Sequence, residues 1–176
     1  MNNQNQSLEK KLLDRAMRLK YNILHQSLGN SEWIKGCSET EILLLEKKYN
    51  LILPLSYKIF LRNFGHGLGG SIMKEIDILY DNIFNLTNVI RNEVLIDEGD
   101  PVLPEKAFVF AGRYNEQFMF FNADGLEEEP CVFYYMINDK EFIKIADSIF
   151  DIVEDEVEQA RSIKHYRERN KKPEKN

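Results

Sequence analysis

SETEILLLEKKYNLILPLSYKIFLRNFGHGLGG, residues 38–70, spells two helices, a break between them and a change of period at the end. Ser38 stands three positions before Glu41, the spacing at which a serine hydroxyl accepts from the amide of residue 41 while the glutamate reaches back. A helix is therefore predicted from Ser38 to about Tyr49. Leu53-Pro54 interrupts the chain, because proline disfavours helical geometry in the residue before it, yet it suits the start of a new helix. Tyr57, Phe60, Leu61 and Phe64 then fall at i, i+3, i+4 and i+7. They make one apolar stripe, and full burial of each large side chain is worth about 1.5 to 3 kcal/mol. Gly65-His66-Gly67-Leu68-Gly69-Gly70 has the letters of the GxGxxG dinucleotide fingerprint, but that turn follows a strand and opens a helix. Here a helix comes first and an extended segment follows. The glycines are read as a helix end and a turn at positive φ.

Outward toward the N-terminus, Leu8, Leu12, Ala16, Leu19 and Ile23 repeat at helical spacing, with Leu13, Met17 and Leu24 widening the stripe. A helix over 7–28 is predicted, ended by Gly29-Asn30. Downstream, segments near 71–79, 107–112, 117–122, 131–137 and 141–145 are rich in Phe, Ile, Val and Tyr and read as strands. Phe118-Met119-Phe120-Phe121 and Val132-Phe133-Tyr134-Tyr135 are apolar on both alternating faces, which places them in the centre of a sheet. The links 112–116 and 122–125 suit antiparallel hairpins. A last helix opens at Asp147-Ser148 with Ile149, Ile152, Val153, Val157 and Ala160 on one side. The expected fold is α+β, a mostly antiparallel sheet of about five or six strands packed with helices, three helices before the strands and one after. The organisation expected is an N-terminal helix over 1–30, a domain over 31–160 and a basic, mobile tail over 161–176.

The net charge of −6 conceals a division. Seven of the 23 bases but only two of the 29 acids lie from Arg161 onward, so that segment carries +5 and the body before it −11. An acidic body repels nucleic acid and steers basic proteins toward itself. The opening MNNQNQSLEKKLLDRAMRLK has no apolar core of signal-peptide length, and no run approaches the roughly 20 apolar residues of a membrane span. A cytoplasmic protein with no membrane partner is expected, monomeric or weakly dimeric.

Chemistry-bearing motifs are sparse. Cys37 and Cys131 have no CxxC partner and are expected reduced and partly buried. His25, His66 and His165 lie in three different elements without a neighbour at a recognised ligand spacing, so no metal and no cofactor are expected. No GxSxG elbow or cysteine-nucleophile signature occurs, and no catalytic residue is assigned. The acidic clusters are the candidates for function: Glu93, Asp97, Glu98 and Asp100 in one loop region, and Asp124, Glu127, Glu128 and Glu129 between two predicted strands. Carboxylates on loops held by a rigid scaffold can pair with Arg or Lys of a protein partner.

With the elements in order, the chain resembles the SUKH superfamily, which includes bacterial immunity proteins and fungal cell-wall-assembly regulators. SETEILLLEKKYNLILP and SYKIFLRNFGHGLGG correspond to its leucine-proline step, aromatic helix and glycine turn. LPEKAFVFAGRYNEQFMFFN looks like its strand pair, PCVFYYM like its next strand and IADSIFDIV like its closing helix, a coverage from Glu32 to Glu158. The turn Asn115-Glu116, where many members carry glycine and aspartate, the long first helix and the basic tail depart from the pattern. The resemblance implies a non-enzymatic domain that binds a protein partner, in bacteria commonly a basic, often nuclease, toxin domain that it neutralises. A regulatory scaffold binding several proteins is the alternative, and a small-molecule hydrolase or ligand sensor a third.

Overall fold

The stripe on residues 57–64 lies at the centre of the molecule. In the computed structural model, which describes residues 3–70, 72–95 and 101–170, Tyr57, Phe60, Leu61 and Phe64 are fully buried. The Tyr57 ring meets Phe121 at 5.1 Å, Phe108 at 5.4 Å and Phe110 at 5.9 Å, so the helix carrying it is pressed onto a sheet through tilted and edge-on aromatic pairs.

In chain order the elements are α1 (Asn3–His25), β1 (Ile34–Lys35), α2 (Glu39–Tyr49), α3 (Leu55–Phe64), β2 (Gly67–Leu68), one-turn helices α4 (Tyr80–Ile83) and α5 (Leu86–Val89), strands β3 (Ala107–Arg113), β4 (Gln117–Asn122), β5 (Val132–Met136) and β6 (Ile143–Ala146), and α6 (Ile149–Arg169). A π turn, Ile90–Val94, continues α5. The sheet is an antiparallel meander in the order β3-β4-β5-β6, and β1 pairs with β2 as a separate two-stranded ribbon. The α+β order expected from the sequence holds, with α1, α2 and α3 before the sheet and α6 after it. β4 and β5 are central, as their two-faced apolar pattern requires. Tyr114 and Asn115 turn the β3–β4 hairpin with φ of 54° and 56°.

Local chemistry sets the boundaries. The Ser38–Glu41 capping box is formed in both directions. α1 stops at His25, and Ser27 then takes φ 52°. Gly65 sits in ordinary helical geometry, so its role is steric, not conformational: a Cβ there would lie 2.2 Å from the Cys37 sulfur. Gly69 and Gly70 supply the positive φ expected of this turn.

Two expectations are corrected. Residues 72–79 form no strand: they turn, Met73 at φ 53°, and meet the sheet at one bridge between Asp77 and Gly112. Ile72, Met73 and Ile78 are buried there, and burial of an irregular segment leaves the same apolar composition as a strand. Leu13 and Met17 are exposed instead of widening the buried stripe of α1. α6 continues through the basic segment as far as Arg169, and Lys164 donates to the carbonyl of Gln26 at 2.7 Å. α4 and α5 were not expected at all, since each is too short to show a helical period.

One charged residue ties the ends of the chain to the middle. Arg15 of α1 is nearly buried and donates to Glu154 through Nε (3.0 Å) and Nη2 (2.7 Å), to Asp151 at 2.6 Å and to Glu129 at 3.2 Å. Its guanidinium also lies 5.4 Å from the centre of the Phe150 ring. Removing it strands three carboxylates, two of them part-open to water, so Arg15→Ala should cost about 2 kcal/mol, less than a wholly buried pair would. Urea denaturation checks the value. Tyr57 presents the opposite case, since its hydroxyl is buried without a hydrogen-bond partner among the described residues. Leaving a donor unmade costs about 1–3 kcal/mol, so Tyr57→Phe should be neutral or raise the melting temperature. A clear loss of stability would show that the hydroxyl is satisfied.

Candidate functional site

α5 and its π turn run beside the edge strand β3 in the opposite direction. Thr87 Oγ1 accepts from the Val109 amide at 2.9 Å, and four residues later Arg91 donates to the carbonyls of Leu103, Pro104 and Glu105. Glu93, just beyond Arg91 and exposed, therefore lies toward the start of β3. Asn122 pairs with Ala107, and the Ala123 amide donates to Lys106, so the 123–131 loop leaves the sheet at that same end. The fold thus brings Glu93 and the 124–129 acids to one end of the sheet. Asp97, Glu98 and Asp100 lie outside the described residues.

The four acids of the 124–129 loop have different surroundings. Asp124 accepts from the Leu126 amide and bridges Ile52, which shapes the turn. Glu128 caps α3 from across the chain: Pro54 has no side chain to accept from the first turn, and Glu128 takes the Leu55 amide on its carboxylate (3.0 Å) and the Ser56 amide on its carbonyl (2.9 Å). Its negative charge also suits the helix N-terminus. Glu129 is bound to Arg15 and Lys11. Glu127 is exposed and makes no hydrogen bond or ion pair among the described residues, though its charge reaches Lys144.

Between these acids the surface is apolar, a feature hidden in the sequence. Leu126 is 84 % exposed and Ile52 61 % exposed, and Ile52 rests against Gly125, whose missing Cβ would sit 3.2 Å from Ile52 Cδ1. Val102, 78 % exposed, follows the same end of β3 backward. Open apolar side chains rimmed by carboxylates are the composition of a protein-binding patch. In sequence, Ile52 lies 73 positions or so from its neighbours, between two helices, and the fold unites them through the Ile52–Asp124 bridge and the contact with Gly125.

A second constellation joins residues that sequence spacing kept apart. Cys37, Glu41 and His66 bring a sulfur, a carboxylate oxygen and a ring nitrogen within 4.8 Å of one another. His66 Nε2 is 2.9 Å from Glu41 Oε1, and Nδ1 is 3.8 Å from Asp81. The β1–β2 ribbon fixes His66, whose amide donates to the Lys35 carbonyl at 2.8 Å. Cys37 is placed by its own amide, which donates to Leu61 of α3 at 2.8 Å. Burial pushes the Cys37 thiol up to about 12. Glu41 is held down to about 2, first by the Ser38 amide, then by the Ser38 hydroxyl and His66. A carboxylate whose folded value lies below its ordinary 4.5 stabilises the fold above that pH and loses the contribution as pH falls toward about 2. Acid unfolding followed by circular dichroism should therefore contain a component between pH 4.5 and 2 that Glu41→Gln removes.

Four helices of ten or more residues, the four-stranded meander and the open acidic end make up a mixed α+β domain. The SUKH family model described as SMI1-KNR4 cell-wall matches residues 39–151, more than half of the chain, and the chain belongs to that family. The match begins at α2 and ends just inside α6. No curated protein matches the chain. No helix among the described residues is long and apolar enough to cross a membrane.

Proposed function

We propose that this chain is a non-enzymatic protein-binding domain that neutralises a cognate toxin, specifically a basic nuclease domain, through the end of the sheet where β3 begins and β4 ends. The observation that carries this reading is the pair Ile52 and Leu126, apolar and open, beside the uncommitted carboxylate of Glu127 and on the same end as Glu93. Proteins that bind polyanions present basic clefts, and an acidic body is steered to such a cleft while blocking its substrate. Membership of the SUKH family supports a binding role. Of the acids of the 124–129 loop, Glu128 and Glu129 contribute by shaping the loop, while Glu127 is available to the partner.

The trio Cys37, His66 and Glu41 has the composition of a nucleophile, a base and an orienting group. Attack requires a thiolate, and burial holds the Cys37 thiol protonated. The cavity that reaches His66 is lined by Trp33, Gly67, Leu68 and Gly70 but not by Cys37, so a substrate there does not meet the sulfur.

Co-expression with basic nuclease domains, scored by rescue of growth and by co-purification, tests the reading. Leu126→Asp and Glu127→Lys should each weaken a captured complex at least tenfold, about 1.4 kcal/mol, while leaving the fold intact, since both side chains are exposed. A survey that captures only acidic or neutral partners would end it. A second reading, a regulatory scaffold joining several proteins, is supported by the family description, which names the cell wall. Capture of several unrelated proteins on the same face would favour it.

A further inference from the structure

We infer that Cys37, Glu41 and His66 form a binding site for a borderline-soft divalent cation of the zinc class, with Asp81, 3.8 Å from Nδ1, placed to orient the imidazole from its far side. One sulfur, one imidazole nitrogen and one carboxylate oxygen are the donor set that zinc accepts, whereas calcium and magnesium require oxygen donors alone. The three ligand atoms already lie within 4.8 Å of one another and come from the turn before α2, its first turn and the α3–β2 turn.

Geometry brings the donors close to what the ion needs. Two ligands on a tetrahedral zinc at roughly 2.0–2.3 Å are separated by roughly 3.3–3.8 Å. The His66–Glu41 pair at 2.9 Å opens slightly, and the sulfur draws in by a small side-chain rotation. The surroundings orient each donor. The Ser38 amide (2.7 Å) and hydroxyl (2.8 Å) both hold Glu41 Oε2, leaving Oε1 turned to His66. Tyr80 packs its ring 5.4 Å from the imidazole and donates its hydroxyl to the Glu41 carbonyl at 3.2 Å. Gly65 leaves the space that the Cys37 sulfur occupies, since a Cβ would stand 2.2 Å from it. Such outer partners are what fix metal ligands in place.

His66 and Glu41 are each part-open to solvent, so an ion reaches the donors from that side. His66 lines a cavity of about 300 Å³ between the glycine turn and residues 72–82, and the Asp81 carboxylate is open to solvent beside it. Two carboxylates next to a neutral thiol draw a cation in, and ligation releases the thiol proton to solvent as the sulfur–metal bond forms.

The test uses the full chain, stripped with a chelator and titrated with Co²⁺ and then Zn²⁺. One Co²⁺ per chain should give the intense visible bands of tetrahedral cobalt together with a near-ultraviolet thiolate-to-cobalt charge-transfer band, and Zn²⁺ should displace it and raise the melting temperature. Cys37→Ser should abolish the charge-transfer band. His66→Gln, at a part-exposed position where the fold should survive, should weaken Zn²⁺ binding at least tenfold, and Cys131→Ser should change neither signal. A pale octahedral spectrum without charge transfer in the wild type, or wild-type Zn²⁺ affinity in folded His66→Gln, overturns the site.

Discussion

Burial of one face of α3 is the constraint on which the other elements depend. Tyr57 needs a dry aromatic surface, and Phe108, Phe110 and Phe121 of the sheet provide it, while Phe60 packs against Tyr57 and Phe64 against Phe60 along the same buried face. α1 and α6 pack against the same helix, and β1 hangs from it through the Cys37–Leu61 bond. Because α3 starts at Pro54, which has no capping side chain, its first amides must be satisfied from elsewhere. The 123–131 loop does this with Glu128, so the packing of α3 also fixes the shape of the candidate binding surface.

Much of this was legible in the chain because it is written in local chemistry. The Ser38–Glu41 box, the Pro54 break and the stripe at 57–64 depend on spacings of seven residues or fewer, and each is formed as read. The central placing of β4 and β5 followed from side chains that are apolar on both faces. What failed was apolar content without a period. Ile72, Met73 and Ile78 are buried in a turning segment, and nothing in their composition separates that from a strand. Leu13 and Met17 sit on an open side of α1, a matter of which neighbours arrive and not of helical spacing.

The candidate site was visible only in part, for the same reason. Runs of acids can be seen in a sequence, but whether a carboxylate is spent within the fold cannot. Glu128 and Glu129 are engaged by residues 73 and 114 positions away, while Glu127 between them is open. Ile52 and His66 carried no signal at all, since their partners, Asp124 and Glu41, reach them only through tertiary pairing.

Arg15 and Lys164 sit outside the stretch that matches the family, yet they tie its two flanks together. Arg15 links the first helix to Glu129 inside that stretch and to Glu154 beyond it, and Lys164 closes α6 onto the end of α1. Leu12, Leu19 and Ile23 on one flank and Val153 and Val157 on the other bury themselves in the common core. The unit that relatives share is therefore smaller than the unit that folds. In this chain the flanking helices act as a belt, and a fragment cut at the family's borders would be a domain with its buckle undone.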